Sequence, residues 1–173
     1  MSKSNIHKTV VMGIYPRTGG FGYIVFRGPV VVHRWGVKQI RTNTNSDNLL
    51  KINELITQYQ PDVVVLDDYE GKGSRRAKRI ESLIDEIAAL CEPKHINVYR
   101  YARSMVRQCF SEFSATTKLE IAQAIAKTLP ELRPQLPDKR KIWLPEDSRM
   151  AIFDAAALVF TYFFFDTKNK RAA

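Results

Sequence analysis

Apolar positions along the chain alternate between two periods. Near the N-terminus they come in short β-branched and aromatic runs separated by turn residues. Thr9–Ile14, Phe21–Phe26 and Val30–Ile40 read as three strands. They are joined by a turn at Tyr15-Pro16-Arg17-Thr18-Gly19-Gly20 and another at Arg27-Gly28-Pro29, which predicts an antiparallel meander. The period then becomes helical. Leu49, Leu50, Ile52, Leu55 and Ile56 form a stripe over Asp47–Tyr59. Pro61–Leu66 contains the continuous run Val63-Val64-Val65-Leu66, the pattern of a strand buried on both faces. Ile80, Leu83, Ile84, Ile87 and Leu90 return to helical spacing, with Ser74 as the expected N-cap. Asn97–Tyr101 is a short fifth strand, Ser104–Phe110 a brief helix and Thr117–Leu129 a longer one. Pro130–Pro145 holds four prolines and is expected to be an extended loop. A last helix is predicted from about Ser148 to Phe165, ahead of a basic tail at Lys168, Lys170 and Arg171.

A meander followed by strands with crossover helices predicts an α/β fold with one mixed five-stranded sheet. The meander supplies its antiparallel part, the later strands run parallel, and helices cover both faces. This is the layout of ribonuclease H-like nucleases, and at 173 residues it is expected to form a single domain, 1–173.

Composition adds little to the fold and more to the partner. The chain is 45% hydrophobic and 26% charged, ordinary for a globular protein. Its 27 Lys and Arg against 18 Asp and Glu give a net charge of +9, which suits an anionic partner, nucleic acid before membrane. Cys91 and Cys109 make no CxxC pair and no disulfide framework. The opening MSKSNIHK does not look like a signal peptide, and Ala151–Phe165 is interrupted by Asp154 and too short to span a bilayer. A cytoplasmic, soluble protein is expected. Phosphate loops, dinucleotide fingerprints, HExxH and nucleophile elbows are all missing from the sequence.

The chemistry-bearing stretch is Pro61–Arg79. Its strand ends on Asp67 and Asp68, and residues 71–79 carry Lys72, Arg75, Arg76, Lys78 and Arg79 without an acid. Ligands bind at the C-terminal ends of strands in open α/β sheets. Carboxylate beside cations there suits a site that holds a divalent metal and draws in a polyanion. The same residues also fit a polar turn and a solvated helix face. His33 and His95 have no metal-like spacing, and Trp35 and Trp143 read as packing residues. The aromatic run Tyr162–Phe165 reads as core or dimer interface.

Four stretches together resemble the RuvC-like Holliday-junction resolvases of the ribonuclease H-like superfamily. Gly13-Ile14-Tyr15-Pro16, followed by Gly22-Tyr23, is similar to the family's first-strand motif Gly-Ile-Asp-Pro. Val64–Asp67 matches a strand ending in an acid, usually Glu. Ser104–Arg107 with Thr117-Lys118 resembles the segment of basic DNA contacts, and Phe153-Asp154-Ala155-Ala156 the C-terminal helix motif. The resemblance implies a structure-selective, metal-dependent DNA endonuclease acting on four-way junctions as a homodimer, with no small-molecule cofactor and no membrane. It further implies two Mg²⁺ or Mn²⁺ ions about 4 Å apart at converging carboxylates. The implied ligands are Asp67 and Asp154, with Asp147 or Asp68. The implied nucleic-acid contacts are Lys72, Arg75, Arg76, Arg79, Arg107 and Lys118.

The chain also departs from that pattern. Tyr15 stands where the family has its first-strand Asp, and a phenol is neutral at pH 7. Asp67 is shorter than the usual Glu, and the family's second acid on the last helix falls on Ala151. A site one carboxylate short is expected to be slow or inactive. The other classes open to the chain are a non-cutting nucleic-acid-binding module of the same fold and an RNA-processing nuclease of the same superfamily.

Overall fold

The computed structural model describes residues 8–71 and 74–172. Five strands form one sheet: β1 (Val10–Arg17), β2 (Gly20–Arg27), β3 (Val32–Gln39), β4 (Val63–Asp67) and β5 (Asn97–Tyr101). Their order is β3-β2-β1-β4-β5. The meander β1–β3 is antiparallel, while β4 runs parallel to β1 and β5 parallel to β4. The mixed five-stranded sheet is therefore the one its element order predicts.

Five α-helices cover it: α1 (Asn45–Tyr59), α2 (Lys78–Cys91), α3 (Arg103–Phe110), α4 (Lys118–Thr128) and α5 (Met150–Ala172). Alternation along the strands sorts side chains between the faces. On β1, Met12 and Ile14 pack with Ile52, Leu55 and Ile56 of α1 and with Leu83, Ile84 and Ile87 of α2. Val11 of β1, with Val63 and Val65 of β4, faces Ile121, Ile125 and the α5 residues Phe153, Ala156 and Val159. The aromatic run, expected as core or dimer interface, packs on this second cluster, with Tyr162 buried and Phe163–Phe165 against it.

Helix α5 lies unusually close to the sheet, and two glycines permit it. A Cβ on Gly13 would stand 2.5 Å from the Ala155 carbonyl oxygen and 2.8 Å from Val159 Cγ2. A Cβ on Gly22 would collide with the Ala151 backbone. Small residues on α5 meet missing side chains on β1 and β2, so the helix seats against the strand backbones.

Four expectations need correction, the first being the turn at Tyr15–Gly20: β1 runs on to Arg17 and pairs with β2 from Gly20, so the turn is only Thr18-Gly19. The prolines of Pro130–Pro145 do not keep the segment extended, because Pro130–Gln135 closes into a 3-10 helix that buries Leu132. A proline at the first position of such a turn lacks only an N–H that had no partner there. Ser74 does not cap α2, whose N-cap is Ala77. Finally, α5 continues to Ala172, so the basic residues expected in a tail lie on a helix. Among the described residues, no helix is long and apolar enough to cross a membrane. Both cysteines are buried thiols outside any disulfide, and burial pushes the Cys91 thiol up to about 11.

Candidate nucleic-acid interface and carboxylate site

The same alternation builds the site. On β4 the residues facing α5 are Val63 and Val65, and the next in phase is Asp67. Asp68 is out of phase and lies past the strand end; its carboxylate accepts the Glu70 backbone N–H at 3.1 Å. On β1 the residues on that face are Val11 and Gly13, and the next in phase is Tyr15. Strands β1 and β4 are in parallel register, Gly13 opposite Val65. Two residues further on, that register sets Tyr15 alongside Asp67. Asp154 arrives from α5, one residue before the Ala155 that seats on Gly13.

Two cations from other elements complete the cluster. Lys118, the first residue of α4, places its Nζ 3.1 Å from Asp154 Oδ2 and 2.9 Å from Glu146 Oε1. The α4 start is rigid. Thr117 accepts the Glu120 N–H, and Glu120 reaches back to the N–H of Thr117, a reciprocal capping box. These backbone donors, from Thr116 and Thr117, hold the Glu120 carboxyl at about 2. A cation at a helix N-terminus opposes the helix dipole, so Lys118 needs its two carboxylates there.

Arg76 comes from the extended segment before α2. Its Nη1 donates to the Tyr15 hydroxyl at 2.9 Å, its Nη2 donates to the Pro16 carbonyl, and its Nε stands 3.5 Å from Asp67 Oδ2. The guanidinium lies 4.6 Å from the Tyr15 ring centre and Lys118 Nζ lies 5.4 Å from it, so the phenol is flanked by both cations. These contacts hold residues 74–77 out of helical conformation, which is why α2 starts late.

The titration of the cluster follows from burial. Loss of water raises the Asp154 carboxyl to about 6, even with Lys118 pulling it down. Asp67 is raised by burial too, against the pull of Arg76. Tyr15 rises above its ordinary value through burial and then through Asp154, so it stays neutral at pH 7. Burial opposes the Lys118 ammonium, but Asp154, followed by Tyr15 and Glu146, outweighs it and holds the group above the usual lysine range.

These side chains surround a cavity of about 250 Å³. Its lining combines the basic side chains of Arg75, Arg76, Arg103, Arg107 and Lys118 with the apolar ones of Val106, Ile121, Phe153, Ala157 and Leu158. Buried Ser74 Oγ and Arg76 Nε have no hydrogen-bond partner among the described residues.

Of the residues singled out from sequence, Tyr15, Asp67, Arg75, Arg76, Arg107, Lys118 and Asp154 line this cavity. Asp68, Asp147 and Arg79 do not. Asp147 accepts the Arg149 backbone N–H at 2.9 Å and pairs with its guanidinium at 2.7 Å, which holds its carboxyl below the usual range. Arg79 donates to Asn45 and Asn43, both at 2.9 Å, and so fastens α2 to the start of α1. Lys72 lies outside the described residues. Arg103 and Glu146 were missed. The spacing of Arg103 and Arg107, four residues apart on one helix, was the signal for the first. Glu146 gave none, since its role depends on where the preceding loop runs.

A pair of divalent ions needs several hard oxygen ligands. Here a neutral phenol occupies one position, and each of the two carboxylates already faces a cation. No group of three or more His, Cys, Asp or Glu among the described residues could hold a metal ion. Ala151, where a further acid would stand, is buried against Gly22. The residues present do not fit a two-metal centre.

No protein-family model matches the chain, and no curated protein sequence does. Its fold is shared with solved structures. The RuvC structure from Thermus thermophilus superposes with a TM-score of 0.66 at 18% identity, over 93% of this chain and 97% of that one. T. thermophilus RuvC in complex with a Holliday junction substrate gives 0.63 at 19% identity, over 92% and 96%. The yeast mitochondrial Holliday junction resolvase gives 0.64 at 12% identity, over 97% and 83%. The chain thus has the RuvC-like, ribonuclease H-like fold along nearly its whole length.

Proposed function

We propose that this protein binds branched DNA at the end of its sheet where β1, β4 and α5 meet, and that it does not cut DNA by two-metal hydrolysis. The observation that carries this reading is the pairing of both carboxylates with protein cations, Asp154 with Lys118 and Asp67 with Arg76, around a neutral Tyr15. Divalent ions would have to displace those cations and then bind with too few oxygens. A phosphodiester meets the opposite situation. Five cations around the cavity outnumber two carboxylates. Ser74, which also lines the cavity, has a hydroxyl with no hydrogen-bond partner among the described residues. Charge-assisted hydrogen bonds from guanidinium to phosphate are among the stronger polar contacts a protein makes. A four-way junction has two-fold symmetry, and a homodimer is the matching state of the protein; sedimentation gives its mass directly.

A metal-dependent resolvase is the second reading, favoured by one observation. Asp67 and Asp154 converge from a strand end and a facing helix, the positions that such chemistry uses. A labelled four-way junction separates the two. The chain is expected to bind the junction equally well in EDTA and in Mg²⁺, and to leave it intact in Mg²⁺ and in Mn²⁺. Cleavage by the unsubstituted chain that Asp154→Asn abolishes would overturn the binding-only reading. Cleavage gained only in Tyr15→Asp would mean that a single side chain separates this scaffold from a working centre.

A further inference from the structure

The loop leading into α5 carries the longest run of exposed large apolar side chains among the described residues. Ile142 is 94% exposed, Trp143 77% and Leu144 49%, so three large apolar side chains stand in a row in solvent. Trp143 is therefore not the packing residue that its sequence context suggested. Single exposed apolar residues are ordinary, but a contiguous run marks a surface that something covers. Immediately before it come three cations, Lys139, Arg140 and Lys141, and Lys141 Nζ lies 5.5 Å from the Trp143 ring centre.

Two features identify the occupant. The cations, on a chain of net charge +9, favour a polyanion and oppose a second copy, which would bring like charges together. The exposed indole favours a polyanion with an accessible aromatic face. Bases within a duplex are stacked on each other, and unpaired bases are free to stack on a side chain. The loop is also tied to the carboxylate cluster: Glu146, two residues past Leu144, holds Lys118 at 2.9 Å.

We propose that residues 139–144 form a DNA-binding arm in which Lys139, Arg140 and Lys141 contact phosphates and Trp143 stacks on a base face exposed where stacking is interrupted at the branch point. This rests on the reading of the protein as a branched-DNA binder, and it adds the element that recognises the branch.

The chain has two tryptophans, so Trp35→Phe leaves Trp143 as the sole indole emitter. Titrating that variant with a four-way junction is expected to quench its emission as stacking occurs. Trp143→Ala should weaken junction binding roughly tenfold, with Trp143→Phe recovering part of the loss. The residue is solvent-exposed, so these variants should unfold as the parent does, which circular dichroism checks. If the junction binds Trp143→Ala with parent affinity and leaves the indole emission unchanged, the arm is refuted while DNA binding stands. A concentration-dependent dimer that Trp143→Ala abolishes, with junction affinity unaffected, would reassign the loop to self-association. If the parent binds no junction at all, the arm falls together with the reading beneath it.

Discussion

Single side chains decide what this site can do, and Lys118 is the most informative of them. It is 29% exposed and its partner Asp154 only 14%, so removing the ammonium strands a carboxylate largely out of water. Lys118→Met keeps most of the volume and should cost about 2–4 kcal/mol at pH 7 in urea unfolding. The loss should be smaller at pH 5, where Asp154 holds its proton. The same variant should reduce the salt slope of junction binding by about 0.9, one phosphate contact. Asp154 makes a separate prediction. Its pKa is raised from 3.8 to about 6, so the unfolded chain releases this proton first. Between roughly pH 4 and pH 6 the unfolded state binds fewer protons, and stability falls as pH rises through that window. The contribution is at most about 3 kcal/mol. Asp154→Asn should flatten this part of the stability profile; an unchanged slope from pH 4 to pH 6 would show that other groups produce it. Asp67 and Asp154 were legible in sequence because their positions depend on strand parity and on a short helix motif. The cations that neutralise them were read only as basic contacts. That pairing depends on the course of residues 74–77 and on where the loop before α5 ends, and neither is periodic.

At the scale of elements, two contacts set the site's geometry. The first is the seating of α5 on Gly13 and Gly22. Gly22→Ala should push Ala151 and the helix off β2 and destabilise the fold by about 1–3 kcal/mol, read as a lower Tm. The second is the capping box of α4. Thr117→Ala should cost about 1 kcal/mol, and by loosening the helix start it should weaken junction binding although Thr117 does not line the cavity. Most elements could be read from the chain, since β-branched runs and 3.6-residue stripes are strong signals; Asn97–Tyr101 agrees to the residue. The exceptions had local causes. Proline did not prevent a 3-10 turn after α4, and Arg76 overrode Ser74 as the determinant of where α2 begins.

For the whole molecule, the order β3-β2-β1-β4-β5 brings residues from opposite ends of the chain to one sheet end. The fold class was legible because one meander followed by crossover helices leaves few arrangements open. Its DNA-binding strength should be dominated by the cations around the cavity. With the three cations of residues 139–141 added to them, a log–log salt slope between about −5.5 and −7 is expected for the junction, equal with and without EDTA. A slope that steepens when EDTA is added would instead point to a metal-bound state.

The close fit of Ala151 to Gly22 limits which side chains position 151 can hold as well as contributing to stability. An acid at position 151 would have to extend from a helix face that touches strand backbone, so it needs the helix to lift or rotate first. Position 15 is similarly tied to Arg76 and Lys118. Changes at these places are coupled, and each alone would pass through a strained or mispaired intermediate. With its helix seated on its sheet in this way, the chain cannot gain a carboxylate-rich centre by one substitution without disturbing the packing around it.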